Sequence, residues 1–85
     1  MKITVKFYVF DLPPGFEDAE IELESDAAIS DVLDSCLELF KRRGAVMDEN
    51  ELRTATVLIN GKWSDLNSPV SNKDIITIVR PMDGG

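Results

Sequence analysis

One long stretch of this chain repeats its apolar residues at helical spacing: Ile29, Val32, Leu33, Cys36, Leu37 and Phe40 recur every three or four positions. That spacing gathers them on one face of an α-helix. Asp31 and Asp34 fall in the early turns and Lys41-Arg42-Arg43 in the last, which complements the helix dipole at both ends. Gly44 is placed to cap the C-terminus. The segments around this helix alternate with a period of two, so it must be the main cover of whatever sheet they build. Burying apolar side chains from its face contributes about 2 kcal/mol each, before conformational entropy is set against them.

Residues 2–10 put Ile3, Val5, Phe7 and Val9 on one side and Lys2, Thr4, Lys6, Tyr8 and Phe10 on the other, the period of a strand. Asp11-Leu12-Pro13-Pro14-Gly15 breaks it as a turn. A second strand, Glu20–Glu24, points Ile21 and Leu23 inward and three glutamates outward, with Lys2 and Lys6 able to offset them across a hairpin. Residues 45–53 are acidic and mixed, a loop or a short helical turn. Thr54–Ile59 forms a third strand with Ala55, Val57 and Ile59 on one face and Thr56 and Leu58 on the other. It ends at Asn60-Gly61, a dipeptide suited to a tight turn with positive φ. Lys62-Trp63-Ser64 can return as a short strand, and residues 65–72 form a polar crossing segment. Ile75–Val79 is apolar on both faces, as in a strand central to a sheet, here between the first and the third. The order is ββαβ(β)β: an α+β chain with a mixed sheet on one main helix. The expected division is a folded body, 1–80, and a flexible tail, 81–85; the last six residues, Arg80 to Gly85, could reach roughly 20 Å when extended.

A chain of 85 residues has room for one core. It carries one cysteine and no histidine, so an internal disulfide, a histidine-based triad and a structural zinc set are excluded. The N-terminal residues show neither a signal-peptide core nor a membrane span, and the expected location is cytoplasmic. A net charge of −7 disfavours nucleic acid and anionic lipid and favours basic protein surfaces. Cys36 lies on the apolar helix face, the setting of an inert thiol. Gly61-Lys62 lacks the upstream glycine of a phosphate loop. Glu20, Glu22 and Glu24 sit on a solvated strand face, and nothing there would raise a carboxylate's pKa for acid catalysis. The expectation is a protein with no catalytic centre, no metal and no bound cofactor. What remains is the carboxylate of Gly84-Gly85, on residues without side chains that a narrow tunnel can admit. A carboxylate is a poor acyl donor, so its use requires activation by another enzyme. Adenylation with ATP would form a mixed anhydride open to a sulfur nucleophile.

Val57-Leu58-Ile59-Asn60-Gly61-Lys62, Asp74-Ile75-Ile76-Thr77-Ile78 and the ending Arg80-Pro81-Met82-Asp83-Gly84-Gly85 resemble the MoaD/ThiS sulfur-carrier family. The helix opening Ala28-Ile29-Ser30-Asp31-Val32-Leu33 is also similar. The proline shortly before the Gly-Gly pair is most like the small subunit of molybdopterin synthase. The resemblance implies a ubiquitin-like β-grasp fold and an E1-like adenylating enzyme that acts on the last glycine. It also implies a thiocarboxylate that donates sulfur inside the large synthase subunit, in molybdenum cofactor biosynthesis. Carried onto this chain, Gly85 holds the thiocarboxylate, and Pro81, Met82, Asp83 and Gly84 pass through the partner's tunnel. Docking would use the sheet face away from the helix, at Tyr8, Leu58, Val79 and Arg80. The alternatives are a sulfur carrier for thiamine or cysteine synthesis and a ubiquitin-like modifier joined to lysines. Where the family often has an Asp-Gly turn before its last strand, this chain has Asn72-Lys73. Asparagine can adopt the left-handed conformation there.

Overall fold

The computed structural model describes residues 1–81. Met82, Asp83, Gly84 and Gly85, and with them the sequence-predicted tail beyond Pro81, lie outside the described residues. The chain builds β1 (Lys2–Tyr8), β2 (Asp18–Glu22), α1 (Ile29–Arg42), α2 (Glu49–Arg53), β3 (Thr56–Ile59), β4 (Lys62–Trp63) and β5 (Ile75–Val79). The sheet order is β2-β1-β5-β3-β4. β5 is central, parallel to β1 and antiparallel to β3, as its apolar run predicts. The polar segment 65–72 carries the chain from the edge strand β4 back to the central β5.

One face of this sheet is covered by α1. Ile3, Val5, Phe7, Ile21, Val57, Ile76 and Ile78 meet Ile29, Val32, Leu33, Cys36 and Phe40 in a single core, and Leu37 is partly buried beside it. Phe40 packs 5.1 Å from the Phe7 ring and 5.6 Å from that of Phe16, which closes the end of the core beneath the 11–15 turn. α1 ends as expected: Gly44 takes φ 75, its N–H donates to Lys41 O, and Ala45 N–H donates to Phe40 O at 2.9 Å. These two bonds make a Schellman cap. The N-terminus is less conventional, because the N-cap is Ala28, which has no side-chain acceptor. Two carbonyls of the crossing segment take over: Ile29 N–H donates to Ser68 O and Ser30 N–H to Leu66 O, at 2.9 and 3.0 Å. The Asp31 carboxylate accepts Ala28 N–H at 2.8 Å. The donors that a capping serine or aspartate would serve are thus satisfied by tertiary contacts.

Several boundaries differ from those the alternation predicts. β1 stops at Tyr8, and Val9 lies exposed at φ 70 where an inward residue is expected. The chain turns there towards the proline loop, and Phe10 takes the inward place, 5.9 Å from the Phe7 ring in an edge-on contact. β2 begins two residues earlier than expected, because its ladder follows β1 from Lys2↔Glu22 to Lys6↔Asp18. Residues 45–53 contain a real helix, α2, whose N-cap Asp48 accepts N–H bonds from Asn50 and Glu51, and whose Leu52 is fully buried. At 72–73 it is Lys73, not Asn72, that takes the left-handed conformation, at φ 71. Asn72 instead uses its side-chain oxygen to accept Lys2 N–H at 2.8 Å.

Candidate functional site

Strand alternation sorts the open face of the sheet, the side away from α1. The ladder Tyr8↔Val79↔Thr56 runs beside Lys6↔Thr77↔Leu58↔Trp63, so Tyr8, Val79, Leu58 and Trp63 share this face. Ile75 lies on it as well, opposite Thr4. The register across β3 and β4 is fixed by Asn60-Gly61, whose φ values of 51 and 83 are those of the two-residue hairpin turn that matches strand twist. Asn60 also pins the start of β5. Its Nδ2 donates to Asp74 at 2.9 Å, and its Oδ1 accepts Ile75 N–H at 2.8 Å. The outcome is an apolar patch with little cover: Tyr8 is 51% exposed, Ile75 44% and Trp63 82%.

Of the expected surface residues, Tyr8, Leu58 and Val79 are brought together, whereas Arg80 points to the other side. The alternation that turns Val79 outward turns Arg80 towards α2, where its guanidinium reaches Glu51 Oε1 at 2.7 and 2.8 Å. Its backbone N–H donates to Tyr8 O at 3.1 Å. Arg80 is therefore fastened twice just before Pro81, at the root of the segment that continues to Gly84-Gly85. α2 is braced in turn, since Arg53 bridges Glu49 of its own first turn and Asp34 of α1. A helix left open by the sequence pattern thus buttresses the chain where it leaves β5.

The remaining chemistry is sparse. Burial pushes the Cys36 thiol up to about 12, so it is held as the unreactive neutral form at ordinary pH. Among the described residues there is no group of three or more side chains able to hold a metal ion. No helix among them is long and apolar enough to cross a membrane.

No protein-family profile matches the sequence, and no curated protein does so either. Solved structures do match. SAMP1 from Haloferax volcanii superposes over 100% of both chains, with a TM-score of 0.69 at 20% identity. The putative molybdopterin converting factor subunit 1 from Pyrococcus furiosus aligns over 96% of this chain and 99% of its own, with a TM-score of 0.69 at 17% identity. A chain from the complex of subunits 1 and 2 of the molybdopterin-converting factor from Helicobacter pylori covers 100% of both, with a TM-score of 0.57 at 22% identity. The chain has the ubiquitin-like β-grasp fold. These likenesses, all below a quarter identical, speak for the β-grasp architecture that the sequence resemblance implies.

Within the β-grasp sheet, the residues that sequence reasoning left out of the patch are Trp63 and Ile75. The signal for both was present. A two-residue Asn-Gly hairpin places Trp63 opposite Leu58, and period two within Ile75–Val79 sends Ile75 to the same face as Val79.

Proposed function

We propose that this protein is a sulfur carrier whose Gly85 is adenylated by an E1-like enzyme and converted to a thiocarboxylate. In this reading it serves as the small subunit of a molybdopterin-synthase-like complex. The observation that carries the proposal is the placement of the tail root: the central strand β5 delivers Arg80, tied to Tyr8 and Glu51, directly into Pro81 and the sequence Met82-Asp83-Gly84-Gly85. A rigid root beside an open apolar face lets one partner hold the body while the tail enters its active site. The P. furiosus and H. pylori likenesses support the choice of molybdopterin chemistry, and the latter is a complex of two subunits. The protein contributes no catalytic side chain. The activating enzyme consumes ATP to make the acyl adenylate, and sulfur then displaces AMP. Gly84 and Gly85, lacking Cβ atoms, suit a narrow passage. The large subunit docks on Tyr8, Leu58, Val79 and Trp63, and the protein works in the cytoplasm.

Incubation with an E1-like enzyme, ATP and a sulfur source tests this by intact-protein mass spectrometry. The expected product has one terminal oxygen replaced by sulfur. An unchanged mass with every candidate activator would reject the carrier reading. The likeness to SAMP1 favours a second reading, a modifier joined to lysines of other proteins. Its signature is an isopeptide-linked Gly-Gly remnant on target lysines in cells.

A further inference from the structure

Next to β1, on the side away from β5, β2 forms an outer edge of the sheet. Met1 and Leu23 exchange both backbone hydrogen bonds at 2.8 Å, and Phe7 N–H donates to Glu17 O at 2.9 Å. Those contacts fix the alternation of the antiparallel ladder. Ala19 and Ile21 turn their backbone groups to β1, while Glu20 and Glu22 turn theirs outward, where they have no backbone partner among the described residues. Such a row is a template for an added strand.

Between this edge and α1 runs a groove of about 570 Å³ that continues into one of about 340 Å³, the two sharing Glu22, Asp34 and Ser35. Ile21 and Leu39 give its floor an apolar component. An added strand would alternate its side chains between two acidic walls: Glu20 and Glu22 on the open-face side, Asp34 and Glu38 on the helix side. Glu22, Glu24 and Glu38 have no ion-pair partner among the described residues, and Arg42 is the one cation lining the groove. Edge-to-edge pairing with a second copy would set acid against acid, which destabilises cross-strand pairs. The edge therefore rejects its own kind and suits the opposite charge.

We propose that the β2 edge and the adjoining α1 groove bind an extended, lysine- and arginine-rich segment of a partner protein as a sixth strand. Main-chain bonds to Glu20 and Glu22 would supply the pairing, and the two acidic walls the selectivity. This inference stands apart from the carrier reading, because it uses neither the tail nor the apolar patch of Tyr8, Leu58, Val79 and Trp63.

The test titrates the isotope-labelled full chain with a blocked peptide of sequence Lys-Val-Arg-Val-Lys-Val-Arg, followed by amide NMR. Expected are shifts over residues 18–24 and along the exposed side of α1, with slowed solvent exchange at the Glu20 and Glu22 amides. The same peptide with every backbone nitrogen methylated keeps its charge but cannot pair, and it should bind at least tenfold more weakly. A Glu22→Lys, Glu38→Lys variant should lose at least tenfold for the unmodified peptide. Glu22→Gln, Glu38→Gln, a milder change that preserves the fold, should lose severalfold. The proposal is overturned if the methylated peptide binds as well, if the shifts fall on Leu58 and Trp63 instead, if both variants bind normally, or if nothing binds.

Discussion

The two faces of this sheet are built from the same strands and have opposite fates. On the covered face, Ile76 and Ile78 of β5 are fully buried against α1, together with Ile3 and Val5. On the open face, Ile75, Val79, Leu58 and Trp63 are as apolar in character, yet only neighbouring strand residues shield them. The core needs the first set. The second adds nothing to the packing of α1, and an apolar patch that the fold does not use is the kind of surface on which partners dock.

Truncations on the two faces should therefore separate sharply. Ile78→Ala is expected to lose about 2–5 kcal/mol of stability in chemical denaturation, the usual cost of a buried cavity. Leu58→Ala should lose less than about 1 kcal/mol, as surface substitutions do. Equal losses would make the open face structural and break the comparison.

Packed against the covered face, Cys36 of α1 adds a pH dependence. Burial raises the Cys36 thiol from 9.0 to about 12, so the folded state favours the neutral form. Its contribution is fully present below about pH 9 and declines as pH rises through about 12. Unfolding free energies of wild type and Cys36→Ala should converge over that alkaline window. A constant difference would show that the thiol is not buried.

Smaller effects sharpen the picture at the strand ends. Lys73→Gly relieves a left-handed lysine at φ 71 and should stabilise by up to about 1 kcal/mol in thermal or chemical melts. Glu51→Ala removes a partly exposed ion pair and should change stability by less than about 1 kcal/mol. Because that pair fastens Arg80, the proposed carrier role predicts that the variant slows sulfur transfer, measured as the rate at which a large synthase subunit consumes the thiocarboxylate form. A normal rate would show that the tail root needs no such anchor.

Much of this was legible from the residues alone. The stripe from Ile29 to Phe40 fixed the helix and its covered face, and the doubly apolar run Ile75–Val79 placed β5 in the centre. What escaped was settled by contacts distant in sequence. α2 depends on the Asp48 cap and on burying Leu52, and five residues are too few for a period to stand out. That Arg80 turns away from Val79 follows from alternation, but that Glu51, 29 positions away, receives it does not. Val9 leaves the strand because of the bend into the proline loop, which alternation cannot register. The cap at Ala28 is invisible locally, since its acceptors are carbonyls of Leu66 and Ser68.

The most direct test of the central claim is ATP–pyrophosphate exchange by a candidate E1-like enzyme, with the free chain compared with one whose Gly85 carboxylate is converted to an amide. The account predicts exchange with the free chain and none with the amidated one, at indistinguishable melting temperatures. Equal exchange with both would mean that the reactive carboxylate is not that of Gly85, and the account would fail.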